Sequence, residues 1–495
     1  MEHQQYIFVN VDSTQWLLYV AVLLIAVFFR FSRLLAVRNL DLLLLLTLST
    51  ALVVSAANRP NDADATQISQ TSAEEADQAG TAAVIEHTAV AEPASVPISP
   101  LYRWSTILVL TLSVGVVIRL MFDESLTRRP RLEQNLNQSG LTFLLIPAFS
   151  ILMTGVFIKE PPRDNTLAVE AGVALLEQKE SASGDSAVQH TPAPTETILA
   201  ATATKMAELS GRVNSLRSEL HNDRSPVEAF IARVLVVLAH STVVMGLLYI
   251  GRRHFSSVQL GISMSCLYLL LPCTAYNVHE LSHVLPGACL TWAFASYRKP
   301  AVAGILLGLA CGTLFFAVFL LPLWAVFYGR KGSLKFGLSL GAVAAVVLLT
   351  FALTSESTDS FVNKLVMTAN WTAYRLFDAA SPLPEHAIGQ VYLRITLAAL
   401  FLVMLIAMTV IPRKRNLENL LANSTALIVA AQLWYPDDVG SYVLWYLPLL
   451  LLVVFRPRLD RFVPPEDPGT STAARLPEDR TRQTAGTLSR VTLYS

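Results

Sequence analysis

Long apolar stretches alternate with short polar junctions along most of the chain, and the charged residues concentrate in the junctions. A helix needs roughly 20 apolar residues to cross a hydrocarbon core of about 30 Å, and most of these stretches approach that length. The pattern therefore predicts an all-α fold, a polytopic transmembrane helix bundle of about eleven spans joined by disordered linkers. The predicted spans are residues 16–29, 40–57, 104–122, 141–158, 229–250, 257–276, 281–297, 335–354, 391–411, 417–435 and 440–455.

The apolar stretch 301–328 breaks the alternation, because basic pairs lie at both of its ends, at 298–299 and at 330–331. A single crossing would place one of these pairs on each face of the membrane. We instead predict a re-entrant helical hairpin that turns near Gly312 and Thr313 and returns to the side from which it entered. Such a hairpin is tolerated at membrane depth only inside a protein bundle or beside a water-filled cavity.

Basic residues mark every second junction, and positively charged junctions of membrane proteins face the cytoplasm. This pattern predicts a multi-pass protein of the cytoplasmic (inner) membrane, with its N-terminus outside and its C-terminus cytoplasmic. Asp41 and Asp123 lie near predicted cytoplasmic ends, and we expect them to position their helices. The basic junctions are at 30–38, 128–131, 252–253, 298–299, 330–331, 413–415 and 456–458.

The composition agrees with membrane insertion. Hydrophobic residues make up 53% of the chain and charged residues 15%, and the mean hydropathy is +0.48. The formal net charge is zero and topology explains the basic clusters, so the expected partner is the lipid bilayer and not nucleic acid. All four cysteines lie inside apolar stretches, so the sequence predicts no disulfide framework.

Two polar regions, 58–103 and 159–228, are rich in Ala, Thr, Ser and acids and are predicted to be external linkers. In the second region, apolar residues at spacings of three and four predict a short amphipathic helix over 202–221. The predicted units are a first transmembrane helix pair (1–57), a disordered external linker (58–103), a second helix pair (104–158), the linker with the amphipathic helix (159–228), a compact multi-span domain (229–458) and a disordered cytoplasmic tail (459–495).

The sequence from His279 to His283 matches the HExxH pattern, in which two imidazoles one helical turn apart bind zinc and the glutamate acts as general base. An intramembrane zinc metalloprotease is therefore one functional alternative, with His279 and His283 as metal ligands. Pro286 argues against it, because a helix that begins near Leu281 leaves His279 on the preceding turn. An Asp-Gly stretch that would supply the third ligand is also missing from the later spans.

From His283 an apolar helix runs to a basic–proline turn at Arg298-Lys-Pro300, and a glycine-rich hairpin follows it as far as Leu320-Leu-Pro-Leu-Trp324. These motifs, with Gln432-Leu-Trp-Tyr435 and Tyr442-Val-Leu-Trp-Tyr-Leu-Pro448, resemble GT-C membrane glycosyltransferases, particularly the family 87 enzymes that depend on polyprenyl-phosphate-mannose. The resemblance covers residues 229–458, and the same motifs are similar to a set of planctomycete polytopic membrane proteins.

The resemblance implies an inverting transferase that takes a sugar from a polyprenyl-phosphate-linked donor at the outer membrane face. Its chemistry would use a carboxylate as general base or metal ligand, so a divalent metal cofactor is left open. No catalytic aspartate carries over, because the first outward loop, 58–100, has a low-complexity sequence that cannot hold a carboxylate in place. A non-enzymatic membrane carrier or scaffold is the remaining alternative.

The candidate site combines three catalytic carboxylates, Glu280, Asp437 and Asp438, with three substrate-binding side chains. The substrate-binding candidates are His279, His283 and Arg394. Arg394 lies just inside a predicted span, where it would either face a cavity and meet a phosphate or extend to the membrane interface. The two aspartates follow a proline and are equally typical of a solvated turn.

Overall fold

We describe a computed structural model of the chain. The residues that it describes are 13–32, 34–58, 99–123, 134–177, 192–209, 225–313, 315–353, 355, 357–362, 365, 387–411, 415–435, 442–457, 459 and 462–465. Within these ranges the chain is helical and contains no β-strand, which confirms the predicted all-α fold.

The helices follow the predicted spans closely. In chain order they are α1 (Ser13–Phe28), α2 (Val37–Ala57), α3 (Pro100–Met121), α4 (Gln138–Ile158), α5 (Arg163–Glu177), α6 (Pro194–Leu209), α7 (Ser225–Arg253), α8 (Val258–Leu270), α9 (Pro272–Tyr276), α10 (Leu281–Ala295), α11 (Pro300–Thr313), α12 (Leu321–Leu353), α13 (Ala387–Val410), α14 (Leu417–Trp434) and α15 (Val443–Phe455), with a 3₁₀ turn (Phe315–Leu320) before α12.

Among the described residues, six helices are long and apolar enough to cross a membrane, so the chain is a multi-pass integral membrane protein. Four of the other predicted spans form shorter apolar helices, and the span 417–435 forms the 18-residue helix α14, which is not among the six. The 13 residues of α15, for example, rise only about 20 Å, less than a hydrocarbon core. Nearly all residues of α10 and α15 are buried, so longer neighbours surround these short helices. The six are Val37–Ala57, Pro100–Met121, Gln138–Ile158, Pro226–Arg253, Phe316–Leu353 and Tyr392–Val410.

Side chains just before several helices fix where those helices begin. Ser99 accepts a hydrogen bond from the backbone N–H of Tyr102, and Pro100 occupies the first helical position of α3. Asn137 and Asn416 cap α4 and α14 in the same way. These local signals explain why the helix starts agree with the sequence pattern.

Small residues let the central helices approach closely. A Cβ at Gly287 of α10 would lie 2.6 Å from the carbonyl oxygen of Leu444 on α15. At Gly246 of α7 it would lie 2.8 Å from the side chain of Thr291 on α10. Close backbone approach at small residues is the usual way in which membrane helices pack, since lipid provides no hydrophobic drive between them.

The predicted re-entrant hairpin is confirmed. Helix α11 ends at Thr313, and the chain then returns through the 3₁₀ turn and the start of α12, where Tyr328 donates its hydroxyl to the carbonyl of Tyr297 at 2.8 Å. Gly329 follows with φ of +68°, a left-handed conformation that only glycine adopts easily. After this kink α12 runs parallel to α11, with Val343 packed beside Gly308.

Residues 159–228 differ from the linker that the sequence predicts. The structure has two helices there, α5 and α6, packed against each other so closely that a Cβ at Gly172 would lie 2.6 Å from the backbone nitrogen of Ala201. Alanine, glycine and threonine allow this close contact, although the same residues also give the region the composition of a linker. Helix α6 ends at Leu209, so most of the amphipathic helix expected over 202–221 lies outside the described residues.

Most basic junctions meet at one end of the bundle, which we call the basic end. Tyr297 lies beside Tyr328 there, and Phe462, beyond the end of α15, packs on both Tyr297 and His254. The junction at 128–131 lies outside the described residues. The opposite end, where α10 and α15 begin, we call the acidic end.

A buried ion network joins helices at the basic end. Arg119 of α3 donates to both carboxylate oxygens of Asp41 at 2.7 and 2.9 Å, and to Asp123 at 2.7 Å. Arg456, which follows α15, pairs with Asp123 and with Glu418 of α14. The expected positioning role of the two aspartates is confirmed, because they tie α2, α3, α14 and the end of α15 together.

Candidate functional site

The HExxH motif lies at the acidic end, and α10 begins inside it. The helix starts at Leu281, so His279 lies in the preceding turn, as the position of Pro286 predicted. Pro286 has no N–H to donate to the carbonyl of Ser282, and the indole Nε1 of Trp445 donates to that oxygen instead, at 3.1 Å. The proline thereby fixes α15 against the start of α10.

Asn165 of α5 holds the backbone on both sides of Glu280. Its Nδ2 donates to the carbonyl of His279 at 2.6 Å, and its Oδ1 accepts from the N–H of Leu281 at 3.3 Å. Asn165 is buried, so water does not compete for these hydrogen bonds. The side chain therefore caps α10 and fixes the direction in which Glu280 leaves the backbone.

A second buried side chain, His240 of α7, also binds the turn that precedes α10. Its Nε2 lies 3.1 Å from the carbonyl of Val278 and its Nδ1 lies 3.0 Å from the hydroxyl of Tyr268. A carbonyl can only accept, so Nε2 carries the hydrogen, and the tyrosine hydroxyl donates to Nδ1. His240 is thus a neutral imidazole whose tautomer is fixed by its two partners.

Glu196 of α6 completes a group of three acids with Asp164 and Glu280. It is 4% exposed, and its Oε1 is buried with no hydrogen-bond partner among the described residues. The pKa of Glu196 is raised to about 8, chiefly by burial and in addition by the negative charges of Asp164 and Glu280. We call these three side chains the acidic trio.

The start of α6 also touches the tip of the hairpin. The hydroxyl of Thr195 donates to the carbonyl of Leu309 at 2.9 Å, and a Cβ at Gly312 would collide with Thr195. The hairpin tip and Glu196 are therefore held by adjacent residues of one helix. The acidic trio thus lies where α5, α6, α10 and the hairpin meet.

Two basic groups, Arg233 and Lys159, lie beside His279. Arg233 of α7 donates from Nη2 to the carbonyl of Lys159 at 3.1 Å, and its Nε is buried without a partner in the described ranges. Burial lowers the pKa of His279, and the positive charges of Lys159 and Arg233 lower it further. His279 is therefore a neutral imidazole near neutral pH, with cations close to it.

His283 faces away from His279, into an aromatic cluster. Its ring lies 4.9 Å from that of Tyr442 and 6.3 Å from that of Trp445, and these two rings stack on each other at 3.9 Å. Its Nδ1 is buried and has no hydrogen-bond partner in the part of the chain that the structure describes. The two imidazoles thus belong to different surroundings, and the described residues contain no group of three or more His, Cys, Asp or Glu side chains arranged to hold a metal.

The other predicted site residues do not join this group. Arg394 is buried on α13, which packs on α12 and α14 and not on the helices that carry the acidic trio. Asp437 and Asp438 lie outside the described residues. Of the predicted set, the structure therefore places Glu280 and the adjacent His279 at the acidic trio, whereas His283 lies in the aromatic cluster.

Sequence reasoning missed Asp164, Asn165, Glu196 and Arg233. One signal was available, because Arg233 is a charge inside an apolar stretch, and such charges in membrane helices mark functional positions. The other three stand at the starts of helices in a region whose composition resembles a linker. No local pattern connects them to Glu280.

No family model matches this chain, and neither a curated protein nor a solved structure matches it.

Proposed function

We propose that the chain is a glycosyltransferase of the GT-C type, which transfers a sugar from a polyprenyl-phosphate donor at the acidic end of the bundle. The observation that carries this proposal is the buried carboxyl group of Glu196 with the half-buried Glu280 nearby, together with the cations Arg233 and Lys159 beside the adjacent His279. A transferase of this kind needs a base for the acceptor and a cation for the leaving phosphate, and the site offers both.

The two carboxyl groups suit different roles. The pKa of Glu196 is raised to about 8, so Glu196 is mostly protonated at neutral pH. Glu280 leaves the backbone at a position held by Asn165 and is the general base in this mechanism.

The transfer step is a single displacement with inversion. Glu280 takes the proton from the acceptor hydroxyl as the acceptor oxygen forms its bond to the anomeric carbon. The bond between that carbon and the donor phosphate breaks, and the phosphate leaves with the electron pair. In this mechanism Arg233 and Lys159 bind the leaving phosphate, because a guanidinium group stabilises phosphate oxygens through paired hydrogen bonds.

A proton-coupled carrier is the second candidate, and the partnerless Oε1 of Glu196 favours it. Transporters use buried carboxyl groups within polytopic bundles to bind and release protons. The zinc protease receives less support, because α10 starts after Glu280 and His279 and His283 therefore do not share one helical face.

The direct test is transfer of labelled mannose from polyprenyl-phosphate-mannose by the protein in proteoliposomes. The Glu280→Gln variant should transfer at least about 100-fold more slowly, because loss of a general base removes that much rate. Glu170→Gln, which changes an exposed acid on α5, is the matched control and should retain the wild-type rate.

Wild-type protein that transfers no sugar from any polyprenyl-phosphate donor would contradict the proposal. Proton uptake driven by a solute gradient, and lost in Glu196→Gln, would support the carrier instead. Equal transfer rates for wild type and Glu280→Gln would remove Glu280 from the mechanism.

A further inference from the structure

Two junctions of the basic end converge on Tyr297. Arg298 donates from Nε to the Tyr297 hydroxyl at 3.0 Å, and its guanidinium carbon lies 5.7 Å from the centre of that ring. Tyr328 binds the carbonyl of Tyr297, and a Cβ at the next residue, Gly329, would lie 3.3 Å from Nη1 of Arg415. Arg298 and Arg415 therefore approach the same tyrosine pair from different helices.

His254 brings the end of α7 to the same place. Its Nε2 lies 2.9 Å from the carbonyl of Ala295, and its ring lies 5.4 Å from that of Tyr297. Burial lowers the pKa of His254, and the charges of Arg298 and Arg253 lower it further, so both guanidinium groups lie close to this ring. We call Arg253, Arg298 and Arg415, all exposed, the arginine patch.

The arginine patch has no carboxylate to neutralise it within the described residues. The acids described at this end are Asp41, Asp123 and Glu418, and all three bind Arg119 or Arg456 in the buried network. The positive-inside rule explains why basic residues are present at this end. It does not require that three of them from separate junctions gather around one tyrosine pair.

We propose that the arginine patch binds the phosphate head groups of anionic phospholipids. Helices α7 and α12 are apolar enough to cross a membrane, and the patch lies where both meet the basic end. The ends of membrane-crossing helices are where head groups are expected. Guanidinium groups bind phosphate oxygens in pairs, and the hydrogen bond to Tyr297 already orients that of Arg298. This proposal is independent of the proposed sugar transfer.

The test is titration of phosphatidylglycerol into the full-length protein in an uncharged detergent, with phosphatidylcholine as the neutral reference. Binding is read from the rise in unfolding temperature with lipid concentration. Each removed charge should weaken phosphatidylglycerol binding about fivefold, so Arg298→Gln with Arg415→Gln should weaken it about 25-fold. Arg103→Gln removes an exposed arginine at the opposite end, in α3, and should bind like wild type.

Two further variants keep the test decisive. Arg415→Gln alone changes an exposed side chain, so its fivefold loss is measurable even if the double variant does not fold. Lysine at both positions should recover most of the binding, because the charge remains. Wild-type affinity in Arg415→Gln, or an equal loss in Arg103→Gln, overturns the proposal.

A single-stranded oligonucleotide that displaces phosphatidylglycerol from wild type, and not from the glutamine variants, would assign the patch to nucleic acid and overturn it as well.

Discussion

The two ends of the bundle differ in whether their buried ionisable groups are paired with groups of opposite charge. At the basic end, Arg119 and Arg456 bind three carboxylates, which belong to α2, the end of α3 and α14. At the acidic end, the carboxyl group of Glu196 is equally buried, yet one of its oxygens has no partner in the described residues and two other acids lie nearby. Paired charges of the first kind hold helices together, whereas an uncompensated acid lowers stability and is typical of a functional site.

The largest change in stability is expected from Asp123→Asn, which disrupts the paired charges of the basic end. Asp123 binds both arginines of the network, so the amide would leave Arg119 with Asp41 alone and Arg456 with Glu418 alone, and would remove the link between them. We expect a loss of about 3–5 kcal/mol in the free energy of unfolding, because two buried hydrogen bonds between charged groups are lost. Unfolding of the purified protein in mixed micelles with increasing denaturing detergent measures this change.

The matched control is Lys205→Gln. Lys205 pairs with Glu208 at 3.3 Å on the surface of α6, where both side chains are largely exposed. Its loss should change the unfolding free energy by less than about 1 kcal/mol. Equal losses for the surface pair and for Asp123→Asn would show that the buried network has no special role.

Asn165→Ala tests whether Asn165 holds the turn around Glu280 at the acidic end. The variant loses two hydrogen bonds to the turn around Glu280 and leaves the N–H of Leu281 without its cap. We expect about 2 kcal/mol lower stability, together with slower sugar transfer because Glu280 is no longer held in place. Asn165→Asp keeps the acceptor for Leu281 and should recover part of the stability. If Asn165→Ala slowed transfer no more than Glu170→Gln does, the positioning role would be wrong.

The stability of the protein should also depend on pH through Glu196. Its pKa in the folded protein, about 8, is above its usual value of 4.5, so the folded state holds a proton that the unfolded state releases over this range. This contribution to stability is therefore fully present below pH 4.5 and is lost as the pH rises through about 8. Glu196→Gln, which cannot ionise, should unfold less readily than wild type in alkaline buffer and should lack this pH dependence. Unfolding temperatures measured on both sides of pH 8 compare the two proteins. Identical profiles would mean that Glu196 is not buried as a neutral acid.

Much of the fold could be predicted because its signals are local. Apolar length located the spans, the basic flanks of 301–328 predicted the hairpin, and Pro286 predicted where α10 begins. Each of these signals acts within one or two helical turns of the residue that carries it. Hydropathy and turn chemistry are therefore sufficient to find them.

The acidic trio could not be predicted in the same way. Asp164 and Glu196 belong to helices far from Glu280 along the chain, and they meet it only because alanine and glycine let α5 and α6 pack closely. Such residues provide no periodic apolar face, so their composition resembles that of a flexible linker. The proposed site depends on long-range packing that a single sequence does not reveal.

Gly329 determines the direction in which the helices of the last third of the chain run through the bundle. By hydropathy alone, Phe316–Leu353 counts as one continuous segment. Because of the kink at Gly329, its first part runs toward the basic end and its second part runs back toward the acidic end. Had that segment been straight, every later helix would be inverted, and Trp445 would be far from the Ser282 carbonyl that it binds. A single glycine thus determines at which end of the bundle each later helix begins.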